Sequence, residues 1–286
     1  MTHIWMRAEQ RENETRTGLS PQGAAELIAS GFQITVEASL TRVIPSAEYA
    51  QAGCAIVPEG SWPSAPKDAI ILGLKELPAD GTPLVHRHIM FGHAFKGQPD
   101  GKILLSRFRN GGGTLLDLEY LTDDDGRRVA AFGYWAGFAG AAIAVHCWIA
   151  QKNGSLAPAV TTSKDASALT SAMGHALQTA GRQTPHVIII GAHGRVGAGA
   201  QSLCNALGVT PTLWDINETA HGGPFPEILA HDIFLNCILA SPATPVFVPA
   251  RTVHDKTRQL CVIGDIACDP TSAFSPIKVY SETTTW

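Results

Sequence analysis

Apolar and polar positions fall in short blocks along this chain, and the period of the blocks switches in a regular order. THIWMRAE reads as a short strand running into a polar turn. Ser20 is then placed as an N-cap, with Pro21 in the first helical turn and Gly31 as a stop, which predicts a helix between them. FQITVEAS returns to strand alternation, a short helix is expected over 47–52, and CAIVP, AIILGLKEL and LVHRHIMFGHAF read as strands. GKILLSRFRNGGG is a helix stopped by glycines, and TLLDLEYL is one more strand. Further on, SKDASALTSAMGHALQTAG gives an amphipathic helix capped by Ser163, and DIFLNCIL, QLCVIGDI and PIKVY are strands. Such alternation predicts an α/β fold of two parallel-sheet domains, 1–131 and 132–286.

The boundary region holds an unusual run. FGYWAGFAGAAIAVHCWIA, from Phe132 to Ala150, is nearly uncharged and long enough to cross a bilayer. Its many Gly and Ala residues suit tight packing against protein, it contains His146, and no second such run exists. A buried helix linking the two domains is the expectation, with no membrane partner.

The sharpest local signal is HVIIIGAHGRVGAGAQ. An apolar run stops at Gly191, glycines recur at Gly194 and Gly197, and a second apolar stretch ends at Asp215. Strand, glycine turn, helix, strand and acid in that order describe a dinucleotide-binding unit. Glycines let the backbone approach a pyrophosphate, and a helix N-terminus offers N–H groups and a positive dipole end. Asp215 is placed to accept hydrogen bonds from ribose hydroxyls, which favours NAD over NADP.

Composition narrows the setting. The 286 residues carry 45 % hydrophobic residues and a formal charge of −4. That balance argues against nucleic acid as a partner. Six scattered cysteines without a CxxC pair read as reduced thiols, and no basic stretch leads an apolar one at the start, so a cytoplasmic setting is expected. His86, His88 and His93 could in principle gather a metal. No Cys or acid is spaced to complete the set, so no metal is expected.

Several longer segments carry the chemistry. RAEQRENETRTGLSP, GLKELP, HRHIMFGHAFKGQ, DDDGRRVAAFGYWAGFAGAA, GAHGRVG and WDINETAHGGPF together make the chain resemble the saccharopine dehydrogenases of the NAD-dependent, lysine-forming type. That resemblance implies two Rossmann-like domains with the active site in the cleft between them. It also implies oxidation of the secondary amine of saccharopine to an imine, which water cleaves to lysine and 2-oxoglutarate. By the same resemblance Lys75 is the base that takes the amine proton and His93 the acid–base group for water addition and C–N cleavage. Arg16, Lys96, Gln98, Arg128 and Phe132 match substrate-binding positions. Arg127, Gly191, Gly194, Arg195, Gly197, Asp215 and Thr219 match contacts to NAD. Residue chemistry agrees: a lysine becomes a base near neutral pH when burial or a second cation favours its neutral form, and arginine forks fit carboxylates. Read bare of motif, Lys75 would be a solvated strand end, and Arg127 and Arg128 a solvated turn.

Two departures qualify the resemblance. Fungal members carry, within GRVG, a cysteine that can pair with one at Cys237; Val196 stands there, so that disulfide cannot form. YSETTTW resembles the middle of a motif after which those enzymes continue, supplying an aspartate that pairs with the lysine matching Lys96. A naturally short relative, a fragment or half of a split enzyme all fit, and a homodimer covering exposed apolar surface is expected. Two other functions stay open: a related amine or imine oxidoreductase of alanine dehydrogenase type, sharing the E-x-R-x-x-L-[ST]-P element from Glu14 to Pro21, and a catalytically silent nucleotide-binding remnant.

Overall fold

The structure, a computed structural model, describes residues 1–95, 100–181, 184–268 and 270–282. The chain divides into two compact units, Met1–Ala131 and Phe132–Trp286.

The first unit runs β1 (His3–Met6), α1 (Pro21–Ala29), β2 (Gln33–Glu37), α2 (Ser46–Gln51), β3 (Ala55–Val57), β4 (Ile70–Leu72), β5 (Arg87–Met90), α3 (Gly101–Gly111) and β6 (Thr114–Asp117). Its strands form one parallel sheet in the order β3-β2-β1-β4-β5-β6. Side chains alternate across it as the period of two demands. Ile4 and Met6 pack with Ala24, Ile34, Val36 and Tyr49 on one face, and Trp5 packs with Trp62, Ile71, Leu104 and Phe108 on the other. The helix after β1 begins as expected: the Ser20 hydroxyl accepts the Gly23 N–H at 3.1 Å, and Pro21 opens the first turn. The chain winds outward from β1 to β3 and then returns to β4. The strand order therefore reverses between β1 and β4, and a crevice opens beyond their C-terminal ends.

The second unit contains α4 (Gly133–Lys152), α5 (Ala166–Thr179), β7 (Val187–Ile190), α6 (Arg195–Ala206), β8 (Thr212–Trp214), α7 (Ile216–Thr219), α8 (Pro226–Leu229), β9 (Ile233–Asn236) and β10 (Val262–Asp265). Its parallel sheet has the order β10-β9-β7-β8, with the reversal between β7 and β9. Strand β7 is buried on both faces. Val187 and Ile189 pack under α4, α5 and α6, while Ile188 and Ile190 pack with Phe225, Ile228 and Phe247. The long apolar run is helix α4, which has the length and composition of a membrane span, yet half of its apolar window is buried within the protein. Its small residues have a packing reason: a methyl added at Gly137 would strike the Val196 carbonyl, and one at Gly199 the Tyr134 carbonyl. Two glycines thus let α4 and α6 cross at backbone distance.

Several local expectations are corrected. Helix α5 is capped by Asp165, whose carboxylate accepts the Ala168 N–H at 2.8 Å, and not by Ser163. PIKVY makes a single isolated bridge, Ile277 to Val248, and adds no strand to the sheet beyond β10. TLLDLEYL breaks after Asp117, whose side chain accepts the Glu119 N–H and tightens residues 118–120 into a 3₁₀ turn. AIILGLKEL stays extended only to Leu72, which puts Lys75 in the loop beyond the strand.

Candidate active site

The first unit collects its charged side chains at the C-terminal edge of its sheet. Past β4, Lys75 is half-buried, and both its peptide groups are held by side chains from the loop after β1. Glu9 accepts the Leu74 N–H at 2.7 Å and the Lys75 N–H at 3.0 Å, and the buried Arg7 guanidinium donates to the Lys75 carbonyl. Further along the same loop Arg16 grips Glu14 with two parallel bonds, Nε to Oε1 at 2.8 Å and Nη2 to Oε2 at 2.6 Å. The Arg16 fork is the main reason the Glu14 carboxyl lies below its ordinary range, with Lys75 adding to the effect, and Glu14 in turn raises Arg16. Lys75 and Arg16 therefore share one buried carboxylate field.

Past β5, His93 sits with its backbone in the left-handed region, φ 49°. Non-glycine residues stay there only where the surroundings hold them, and such positions gather at functional sites. Its ring stacks on Phe91 at 6.3 Å between centroids, and Nδ1 lies 3.9 Å from Glu119 Oε2. That spacing suits an ion pair when the ring is protonated and is too long for a hydrogen bond. The other Glu119 oxygen accepts Arg128 Nη1 at 2.8 Å. Past β6, then, one buried glutamate joins His93 to Arg128. Asp117 supports this arrangement by accepting the N–H groups of Gly92 and Glu119.

The loops after four strands, β1, β4, β5 and β6, thus bring Arg16, Lys75, His93 and Arg128 to the edge of one sheet. Arg127 stays exposed, 4.0 Å from Asp125. Lys96 and Gln98 lie outside the described residues, and Phe132 opens the second unit as the cap of α4. Glu119, Glu14, Glu9 and Arg7 were not singled out from the sequence. The signal for Glu14 was present in the E-x-R spacing; Glu119 was hidden by reading its segment as an unbroken strand. A cavity of about 300 Å³ opens one residue beyond Lys75 and one before His93, lined by Arg11, Glu76, Leu77, Gly92, Gly101 and Arg107 among others. His86 and His88 point away from this edge: His86 Nε2 meets the Ala65 carbonyl at 3.1 Å, and His88 packs edge-on to Trp62 and Phe108. Among the described residues no group of three or more His, Cys, Asp or Glu could hold a metal.

In the second unit the fingerprint glycines take up the form that a dinucleotide needs. Gly191 turns the chain out of β7 with φ 84°, and Gly194 caps α6. A methyl at Gly197 would strike the Gly191 carbonyl and Ala192, so the helix approaches the turn with nothing between them. A methyl at Gly194 would meet only the Gly191 carbonyl, at 3.5 Å, and the start of the helix stands open. Arg195 is exposed at the first turn of α6. Asp215 follows β8; its two oxygens accept the N–H groups of Ile216 at 2.9 Å and His193 at 3.0 Å. Those bonds fix the carboxylate at the β8 end while lone pairs remain. Thr219 donates its hydroxyl back to the Asp215 carbonyl at 2.9 Å. Open turn, helix N-terminus and acid fit a bound dinucleotide.

Sheets of these orders, one with a glycine-turned strand and helix, define a two-domain α/β fold of dehydrogenase type. Its fold matches an L-alanine dehydrogenase (TM-score 0.54, 20 % identity, 92 % of this chain and 73 % of that one) and a transhydrogenase from Sinorhizobium meliloti (TM-score 0.53, 17 % identity, 88 % and 74 %). Residues 5–139 match the family described as alanine dehydrogenase/PNT, N-terminal domain. Over its length the chain is 44 % identical to the saccharopine dehydrogenase [NAD(+), L-lysine-forming] of Schizosaccharomyces pombe, spanning 99 % of this chain and 80 % of the relative. It is 45 % identical to that of Emericella nidulans, spanning 99 % and 78 %. The chain belongs to the saccharopine dehydrogenase family.

Proposed function

We propose that this chain catalyses the reversible, NAD-dependent oxidation of saccharopine at its secondary amine, giving L-lysine and 2-oxoglutarate. The likeness over 99 % of the chain to relatives of that name carries the reading. In this reading Lys75 Nζ takes the proton from the secondary ammonium, so that the nitrogen lone pair can drive formation of the C=N bond. NAD supplies the hydride acceptor. His93 then removes a proton from water as it adds to the imine carbon, and returns one to the departing amine nitrogen. Glu119 Oε2 lies 3.9 Å from Nδ1 and, in this reading, orients the ring. Arg16, Arg128, Lys96, Gln98 and Phe132 bind the substrate, whose three carboxylates call for cations; the forks of Arg16 and Arg128, oriented by Glu14 and Glu119, support this assignment. Gly191, Gly194, Gly197 and Arg195 hold the pyrophosphate, Asp215 the adenosine ribose, and Thr219 and Arg127 complete the cofactor contacts.

The experiment is NADH formation by purified protein from saccharopine and NAD, against L-alanine and NAD. Turnover of saccharopine alone is expected. A second reading, an alanine dehydrogenase-like amine oxidoreductase, is favoured by the family match over residues 5–139 and predicts turnover of alanine instead.

A further inference from the structure

We propose that Arg7 and Glu9 form a buried clamp on the main chain of Lys75 and are positioning residues for the reaction. This rests on the reading of Lys75 as the base. The clamp begins where the sheet ends. Met6 and Leu72 are paired in register, and the Arg7 N–H still bonds the Leu72 carbonyl at 3.0 Å. Beyond that point side chains replace the ladder. The two Glu9 oxygens take the consecutive N–H groups of Leu74 and Lys75, and Arg7 donates to the carbonyl on the other side of Lys75. Arg7 Nη1 stands 3.5 Å from Glu9 Oε2, so the two jaws are also held to each other. Main-chain N–H and C=O of Lys75 are thus both fixed, which sets the direction in which its Cβ leaves the backbone.

Gly73 is the counterpart of this arrangement. A methyl there would strike the Arg7 guanidinium along its edge, so the motif GLKE needs a glycine two residues before its lysine. The side chains are 0 % exposed for Arg7 and 7 % for Glu9. A buried ion pair is a poor way to gain stability, since apolar side chains of similar size often do as well, but it can fix one geometry among several. Burial pulls the Arg7 guanidinium below its ordinary value, opposed by Glu9, Glu37 and Glu76.

The test is Glu9→Gln, alone and combined with Lys75→Met. The amide cannot accept from both N–H groups, and it loses the ion pair. Misplacing a catalytic group by a fraction of its length should lower kcat for saccharopine by ~10–10²-fold and leave KM for NAD within about threefold. In the Lys75→Met background the same change should alter the residual turnover by less than about twofold, because residues that act as a unit are not additive. A purely structural role would give the same loss in both backgrounds, and that result overturns the proposal. An unchanged kcat in Glu9→Gln overturns it as well. Should Glu9→Gln fail to fold, Glu9→Asp keeps the charge, shortens the reach by one methylene and should show the same pattern. Amide hydrogen exchange at Leu74 and Lys75 is read without substrate. Faster exchange there in the variant supports the clamp, and unchanged exchange overturns it. Absence of saccharopine turnover by the unaltered chain counts against the functional reading alone.

Discussion

The two units bury different chemistry under similar sheets. Among the described residues, the buried arginines, histidines and glutamates (His3, Arg7, Glu14, Glu37, Arg42, His86, His88, Arg107 and Glu119) all belong to the first unit. The second unit buries Thr219, Asn236, Thr252 and Ser275, none of which titrates in the usual range. The ends of the second strands show the same contrast. Glu37 closes β2 and is wholly used by its own unit: it accepts the N–H groups of Trp62 and Gly60, that of Ala8 and the Trp5 indole. Asp215 follows β8 half-exposed, with room for a ligand. Each sheet has a crevice at its order reversal. In the first it is filled with charged side chains that can hold and move protons. In the second it is bare backbone that can receive a phosphate. In the proposed function the same fold geometry serves reaction chemistry in one unit and cofactor binding in the other.

The largest effect should come from emptying the first crevice of its proposed base. Lys75→Met keeps the aliphatic stem, and turnover of saccharopine should fall by ~10²–10⁴, the usual worth of a positioned acid–base group. NADH affinity, measured by fluorescence titration, should stay the same, because the cofactor is assigned to the second unit. A matching loss of affinity would mean that the division of labour is wrong. His93→Gln should behave alike and lose ~10²-fold in turnover.

An effect on stability should also separate the units. His88 is pushed down to about 3, first by burial and then by Arg7, His86 and Arg107. The folded state therefore keeps this ring neutral. Between its ordinary value of 6.5 and about 3 the unfolded chain binds a proton that the folded chain refuses, so stability falls as pH falls through that window and is complete above it. His88→Leu fits the apolar setting between Trp62 and Phe108, where neither ring nitrogen has a hydrogen-bond partner. The variant should lose less stability on acidification, with a difference on the order of a few kcal/mol by urea unfolding. Equal acid loss in variant and unaltered chain would place the sensitivity elsewhere.

What could be read from the sequence follows the same division. The glycine turn of the second unit was legible because it is backbone: Gly191, Gly194 and Gly197 are written directly as glycines, and the apolar run of β7 stands beside them. The core strands of the first unit were legible from alternation, and the candidates His93 and Lys75 were singled out by their motifs. Their partners were not. Glu119 meets His93 only because Asp117 curls the chain after β6, and Glu9 reaches Lys75 across 66 positions of sequence. Contacts of that separation depend on strand order, which local periodicity does not encode. Ser163 and Asp165 compete for the same cap within three positions, and only the geometry of the first turn decides between them.

The smallest expected effect is the sharpest test of the two strand-end acids. Asp215→Asn leaves an amide oxygen that can still accept the Ile216 N–H, so the start of α7 keeps its cap. What is lost is the bond from the His193 N–H and the negative charge that the proposed function sets against the ribose. A hydrogen bond to a charged acceptor contributes about 1.5–3 kcal/mol, so NADH should bind at least about tenfold more weakly. NADPH should lose less, because the repulsion of its 2′-phosphate is removed at the same time, and the preference for NADH should narrow. Glu37→Gln is the control in the first unit. It places an amide among four donors that now meet a carboxylate, so it should lower the melting temperature and leave both dissociation constants unchanged. If instead Glu37→Gln weakens NADH, the first crevice takes part in nucleotide binding. If Asp215→Asn leaves the preference untouched, the discrimination lies in the neighbouring Ile216 and Asn217, and the contrast between the two acids is one of burial alone.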